Sequence, residues 1–308
     1  MVDSSPVSIA MTAARARRPD AGDPALVHLP SVRECIRASL SGTALEHIAA
    51  ELTPQLGGGK LLRARLTLRM GSATGVPLHI ATKAAAAVEV VHVASLFHDD
   101  ILDGGTMRRG TPAIWVEHGV KIAVLAGDLL LSQAFRMIQK ACPERVSELL
   151  PVVFDMCDAE TRQELLIAAA GDAWEDCETI ARRKTGGLFG FAAACCPPNE
   201  TVLAEALREA GCRVGAAYQL ADDLHDFSND DEADKTLGTD AASMKLTAAS
   251  AADGLDRSLG NIQSLIGSAL PLLSRWPTVR DALQDYLDQD LAPAMELMTR
   301  HFRLGAAQ

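Results

Sequence analysis

The chain has 308 residues, of which 48% are hydrophobic, enough apolar material for a large core. Its formal net charge is −11, and the 29 Lys and Arg residues form no stripe. That argues against nucleic acid as a partner, because neutralising a phosphate backbone needs clustered cations. Aromatics make up only 4%, while Ala and Leu are plentiful and β-branched runs are few. Strong helix formers in that proportion predict an all-α protein.

Residues 1–25 contain Arg15, Arg17 and Arg18 but no continuous apolar segment. This argues against a secretory signal and predicts a disordered extension ahead of a single helical domain over 26–308. Seven cysteines, with no CxxC pair and no Cys/His metal spacing, are expected to be small core residues in a reducing cytoplasm. No apolar run is expected to reach the roughly 20 residues of a membrane span.

From about Ser31 the pattern is helical nearly throughout, with helices over 31–51, 60–74, 78–103, 119–141, 145–168, 173–196, 200–228, 249–268 and 279–300. Punctuation falls at Gly57-Gly58-Gly59, Gly75 and Pro77, Gly104-Gly105, Pro143 and Pro197-Pro198. The helix over 60–74 opens on Gly58-Gly59-Lys60-Leu61-Leu62-Arg63, whose free backbone N–H groups and dipole suit a phosphate, although a plain loop with two surface cations has the same composition.

The helix over 78–103 is apolar and ends in Asp99, Asp100 and Asp103, with His92 two turns before Asp99. Asp99 and Asp103 are four apart and share one face. Like charges at that spacing repel, and the helix C-terminus adds its own negative end. Hard oxygen donors without Cys suit magnesium together with substrate phosphates. Arg108 and Arg109 follow within a few residues. Over 122–138 the helix is more apolar than one buried face requires, which predicts a homodimer.

Further on, Lys184-Thr185 precede two glycines, where a kink is expected. The helix over 200–228 repeats the carboxylate pattern as Asp222, Asp223 and Asp226, with Gln219 one turn earlier. One such cluster is weak evidence of function. Two, each closing a long apolar helix, predict a shared cavity mouth. Two unit charges 4 Å apart repel by about 4 kcal/mol at an effective dielectric near 20, so divalent cations must offset the repulsion.

These motifs resemble the trans-isoprenyl diphosphate (polyprenyl) synthase family from about Gly57 to Thr247. HDDILDGGTMRRGTPA is similar to the family's first aspartate-rich motif with its paired arginines, and LAGDLLLSQAF to the helix that follows. Glu160 and Gln163 stand where the family has an acidic and an amide residue. KTGGLF resembles KTAxLF, and YQLADDLHDF with Lys235-Thr236-Leu237-Gly238-Thr239-Asp240 resembles the second motif and its trailing KxxGxD. Two departures stand out. The family's GGKRLRP is here GGKLLRA, keeping Lys60 and Arg63, and of a usual EGK-T-LP run only Lys245 and Thr247 survive.

The resemblance implies an isoprenoid-synthase-type bundle of about ten or more helices around a central cavity, and head-to-tail prenyl transfer. It implies Mg²⁺, three ions per site, on Asp99, Asp100, Asp103, Asp222 and Asp226. Arg108, Lys184 and Lys235 would hold an allylic diphosphate (farnesyl, geranyl or dimethylallyl). Lys60, Arg63, His92 and Arg109 would hold isopentenyl diphosphate, with Lys245 a further binding candidate, while Thr185 and Gln219, beside Lys184, would steady the cation. Ala94 and Ser95, five and four residues before Asp99, are too small to stop a growing chain, and Val91, Val88, Ala87 and Ala84 are small or medium. A medium- or long-chain product is therefore expected, with geranylgeranyl diphosphate as the alternative. A terpene cyclase would lack the second DDxxD, and a non-catalytic subunit would lose aspartates; both clusters are whole here.

Overall fold

A computed structural model of the chain describes residues 26–165, 173–196, 200–227, 254–296 and 298. The expected single helix over 31–51 is instead two. Helix α1 (Leu29–Ala38) stops at Ser39, Gly42 turns the chain at φ +73°, and a 3₁₀ turn (Ala44–Ile48) leads into α2 (Ala49–Gly57). Thr43 caps that turn by accepting from the Leu45 backbone N–H at 3.2 Å, which makes the break a designed corner.

Helix α3 (Leu62–Ala73) and helix α4 (Leu78–Leu102) follow the expected bounds closely. A two-residue hairpin not expected from the sequence, β1 (Met107–Arg108) with β2 (Thr111–Pro112), carries the paired arginines. Beyond it lie α5 (Ile114–His118), α6 (Val120–Ala141), α7 (Val146–Glu164) and α8 (Ala173–Ala181). The kink expected near Lys184 is a π-helical turn over Arg182–Gly186, followed by α9 (Gly187–Ala194). Such bulges cluster at functional sites because they re-aim side chains. Helices α10 (Thr201–Phe227), α11 (Gly254–Ala269) and α12 (Pro277–Tyr286) complete the order, and a second π turn (Leu287–Leu291) continues α12.

Helix α4 is the central strut. It packs on α3 and α6, and its run from Ala84 to Val91 is buried on every side. Ala and Val in that run let neighbours approach from all directions, as a core helix requires. Helix α10 is held equally closely by α9 and α11. A Cβ on Gly215 would lie 2.8 Å from the Gly186 Cα, and one on Gly211 would lie 2.9 Å from the Gly190 Cα. The two backbones therefore cross in contact, which only glycine permits. Buried apolar residues from Leu29 to Met298 form one contiguous cluster.

Two helices have the length and apolar composition of a membrane span, Leu78–Leu102 and Val120–Ala141, contrary to the sequence expectation that no run would. Helix α4 has this character because it is buried in the core. Helix α6 has it because both its inner and outer faces are apolar, and its outer face is exposed.

Candidate functional site

A cavity of about 620 Å³ opens between α3, α4, α7 and α10, with the β1–β2 hairpin and the Arg182–Gly186 turn at its mouth. From α4 come His92, Asp99 and Asp103, and from α10 come Tyr218, Gln219 and Asp222. The two carboxylate clusters thus line one space, as their spacing predicted. Lys60, Arg63, Arg108, Arg109, Lys184 and Thr185 also reach its wall.

The acidic side is crowded. One carboxylate oxygen each of Asp103, Glu160 and Glu164 lie within 4.8 Å of one another. Burial raises the Asp99 carboxyl from its usual 3.8 to about 7; Lys184 works against that rise, and Glu160 and Asp103 add to it. Lys184 answers part of this charge, forming an ion pair with Glu160 Oε2 at 2.5 Å and donating to Gln163 Oε1 at 3.4 Å. The donors are all oxygens, charged and closely spaced, a set that fits a hard divalent cation. Glu164 was not singled out by the sequence reading. Its signal was only its place one turn after Glu160, visible once α7 is known to pass the end of α4.

Asp100 does not join the cavity wall. One residue on from Asp99 is about 100° round the helix, and that direction leads into the protein. There Asp100 is buried, and Arg108 Nε donates to its Oδ1 at 2.9 Å while Arg108 Nη2 donates to the same oxygen. Its part is to hold Arg108 at the mouth. Asp226 lies in the last turn of α10 with its side chain outside the described residues; Lys235 and Lys245 also fall outside them.

The basic side is built on strained backbone. Leu61 and Arg109 both adopt left-handed φ, +53° and +52°. A Cβ on Gly59 would lie 2.6 Å from an Arg109 guanidinium nitrogen, so the glycine loop lets that side chain lie across it. Arg109 Nη1 donates to the Gln55 carbonyl, and Gln55 Nε2 donates to the Pro112 carbonyl at 2.7 Å, clasping the hairpin to α2. Arg63 stacks over the Phe189 ring, 4.6 Å from its centroid. Burial first, then Arg63, Arg109 and Arg108, hold His92 well below its usual range, so it is a neutral imidazole.

Between the two sides lie Thr185, whose hydroxyl donates to Gln219 Oε1, and Gln219, whose Nε2 donates to Asp223 Oδ1 at 2.8 Å. The glycine crossing of α9 and α10 makes this meeting possible. Tyr218, absent from the sequence candidates, also lines the wall; burial raises its phenol so that it stays protonated. Cys157 is another unforeseen wall residue, and burial raises its thiol as well. Along the apolar wall, Val91, Ala94 and Ser95 face the cavity, whereas Ala84, Ala87 and Val88 are packed within the core.

The polyprenyl synthetase family model matches residues 45–254. A short chain isoprenyl diphosphate synthase of Methanothermobacter thermautotrophicus is 34% identical over 206 residues, 62% of this chain and 61% of that protein. A nonaprenyl diphosphate synthase of Mycobacterium tuberculosis is 34% identical over 190 residues, 59% of this chain and 56% of that protein. The chain therefore aligns with a little under two thirds of the length of these curated relatives. Among solved structures, a geranyltranstransferase of Thermotoga maritima superposes with TM-score 0.70 at 25% identity, covering 86% of this chain and 97% of that one.

Proposed function

The chain belongs to the polyprenyl synthetase family, and on that footing we propose that it is a trans-prenyltransferase that joins isopentenyl diphosphate head-to-tail to an allylic diphosphate. The observation that carries this reading is the meeting, around one cavity, of carboxylates from both aspartate clusters with the cations Lys60, Arg63, Arg108, Arg109 and Lys184. Asp99, Asp103 and Asp222 are the residues to hold Mg²⁺, three ions with substrate in the full reading, with Asp226 supporting. A divalent cation held by these carboxylates would supply charge neutralisation for the departing diphosphate.

Lys184 and Arg108 face the same side and hold that diphosphate, with Lys235 as a third candidate from outside the described residues. Lys60, Arg63 and Arg109 hold the isopentenyl diphosphate, and neutral His92 adds a hydrogen-bond donor. Lys245 is a further candidate for this binding. Binding both reactants in one cavity removes most of the entropic barrier to their meeting. The Thr185 hydroxyl and the Gln219 amide place oxygen dipoles beside the carbon that becomes cationic. Val91, Ala94, Val153 and Met156 keep water from the allylic chain.

The small residues Ala94 and Ser95 support a medium- or long-chain product. A geranylgeranyl product is the second reading, favoured by the burial of Ala84, Ala87 and Val88, where the open cavity ends. The contiguous core of the described residues supports one domain over 26–308, and a cytoplasmic location belongs to the same reading. Incubation with labelled isopentenyl diphosphate, a farnesyl primer and Mg²⁺ should give an elongated product, and chelation should stop it. Consumption of the allylic diphosphate alone would establish a cyclase instead.

A further inference from the structure

Helix α4 contains one carboxylate inside an otherwise apolar stretch of sequence. Glu89 is 2% exposed within the run Ala84–Val91, and it borders the cavity. Isolated burial of a carboxylate is costly, so its partners define its purpose. Glu89 Oε1 accepts the backbone N–H of Ala64 at 2.8 Å. Ala64 is in the first turn of α3, where N–H groups lack intrahelical partners. The residue before that helix, Leu61, offers no side-chain cap and sits at φ +53°, ψ +42°. For a non-glycine residue this conformation costs about 1–2 kcal/mol and persists only when its surroundings hold it.

Four contacts hold it. Leu61 is buried in the core. Arg65 donates its backbone N–H to the Leu61 carbonyl at 2.9 Å and its Nε to the Lys60 carbonyl at 2.9 Å. Glu89 supplies the fourth, a hydrogen bond that joins this turn to α4. The same turn sets the direction of Lys60 and Arg63. Arg63 is 8% exposed, stacks on Phe189, and keeps its Nε without a hydrogen-bond partner. No hydrogen bond fixes the guanidinium through that nitrogen, so its aim depends on the backbone that carries it together with the nearby charge of Glu89.

We propose that Glu89 is a positioning residue: by receiving the Ala64 N–H it holds the strained Lys60–Arg63 turn against α4, and so sets the affinity of the metal-independent diphosphate site. The inference rests on the prenyl-transfer reading. It predicts an effect mainly on one substrate, because the cap is a hydrogen bond from the Ala64 N–H to Glu89 on the Lys60–Arg63 side of the cavity.

The test uses Glu89→Gln, Glu89→Asp and Glu89→Leu in the full chain. Gln keeps an oxygen that can accept from Ala64. Asp keeps the charge but falls about one methylene short of the N–H, and Leu keeps neither. The wild type is assayed first, and lack of isopentenyl diphosphate consumption there would overturn the parent reading alone. With the wild type active, the Asp and Leu variants should raise KM for isopentenyl diphosphate about tenfold, the loss expected of one hydrogen bond to a charged group. KM for the allylic diphosphate should not move, and Gln should stay within about threefold of wild type on the same scale. Titration calorimetry with isopentenyl diphosphate in EDTA reads the same site without turnover, and should show the same order of affinities. Should Leu fail to fold, Gln against Asp decides. Wild-type affinity in the Asp variant, a loss in Gln equal to that in Asp, or parallel rises in both KM values would each overturn the proposal.

Discussion

At the scale of single residues, the site is a balance of charge that the protein leaves incomplete. Asp99 shows this most directly. Its carboxyl titrates at about 7 in the folded chain against a usual 3.8, chiefly through burial. The folded state therefore holds this proton more tightly than the unfolded state does. That contribution to stability is whole below about pH 4 and is lost as the pH rises to about 7. Asp99→Asn removes the charge, so without metal it should unfold at a temperature about 2–4 °C above wild type at pH 8, the shift given by about 1 kcal/mol in a large domain. Below about pH 4, where Asp99 is protonated in both states, the charge difference between the two proteins disappears and they should unfold together. Thermal scans in EDTA read this directly, and a lower melting point for the Asn variant at pH 8 would contradict it. Mg²⁺ should raise the wild-type melting point more at pH 8 than at pH 6, since binding needs the ionised carboxylate. The same variant should lose prenyl transfer by orders of magnitude.

At the scale of elements, the helices were legible wherever periodicity and punctuation agreed. Helices α3, α4 and α10 lie within a few residues of expectation, because glycine or proline marks their ends. The break of 31–51 at Gly42 was not legible, since the apolar pattern runs on across the corner. Nor was the hairpin at Met107–Pro112, which is too short to alternate. In the site, the face shared by Asp99 and Asp103 followed from spacing. For Asp100, given as a supporting metal ligand, spacing supplied a direction round the helix but not what stands there, and Arg108 donates to its Oδ1. The glycine crossing of α9 and α10 makes a test at this scale. Gly190→Val places a branched side chain against the Arg208 carbonyl, 2.6 Å from the ideal Cβ. It should cost about 1–3 kcal/mol and weaken turnover by separating Thr185 from Gln219. An unchanged melting point would mean that the crossing is not tight. On α4, Ala94→Phe should shorten the product without stopping allylic ionisation, because Ala94 lines the cavity a few residues from Asp99. Chromatography of the dephosphorylated products shows the change, and unchanged length would place the wall elsewhere.

At the scale of the whole molecule, the outer face of α6 gathers several exposed apolar side chains on one helix. Its inner face buries Ala123, Ala126, Leu130, Ala134 and Ile138 at helical spacing against the protein. Its outer face presents Val120, Ile122, Val124 and Leu125, the last 63% exposed, and Val116 of α5 continues the patch. Contiguous apolar surface of this kind marks an interaction site, and closed two-fold symmetry lets one patch cover itself. A second copy of the chain is therefore the expected cover. Because α4 packs along α6, a dimer would also brace the helix that carries Asp99 and Asp103. Light scattering at micromolar concentration should give twice the chain mass. Leu125→Glu combined with Ile122→Lys places charge on both turns of the exposed face and should return a monomer. Both positions are exposed, so helical content by circular dichroism should stay the same. Turnover should fall in step with dimer content, and allylic ionisation should weaken with it, since the brace is on the metal side of the cavity. A wild-type chain that is already monomeric at that concentration would contradict the expectation. So would a fully active monomer, which would show that α4 needs no support from beyond its own chain.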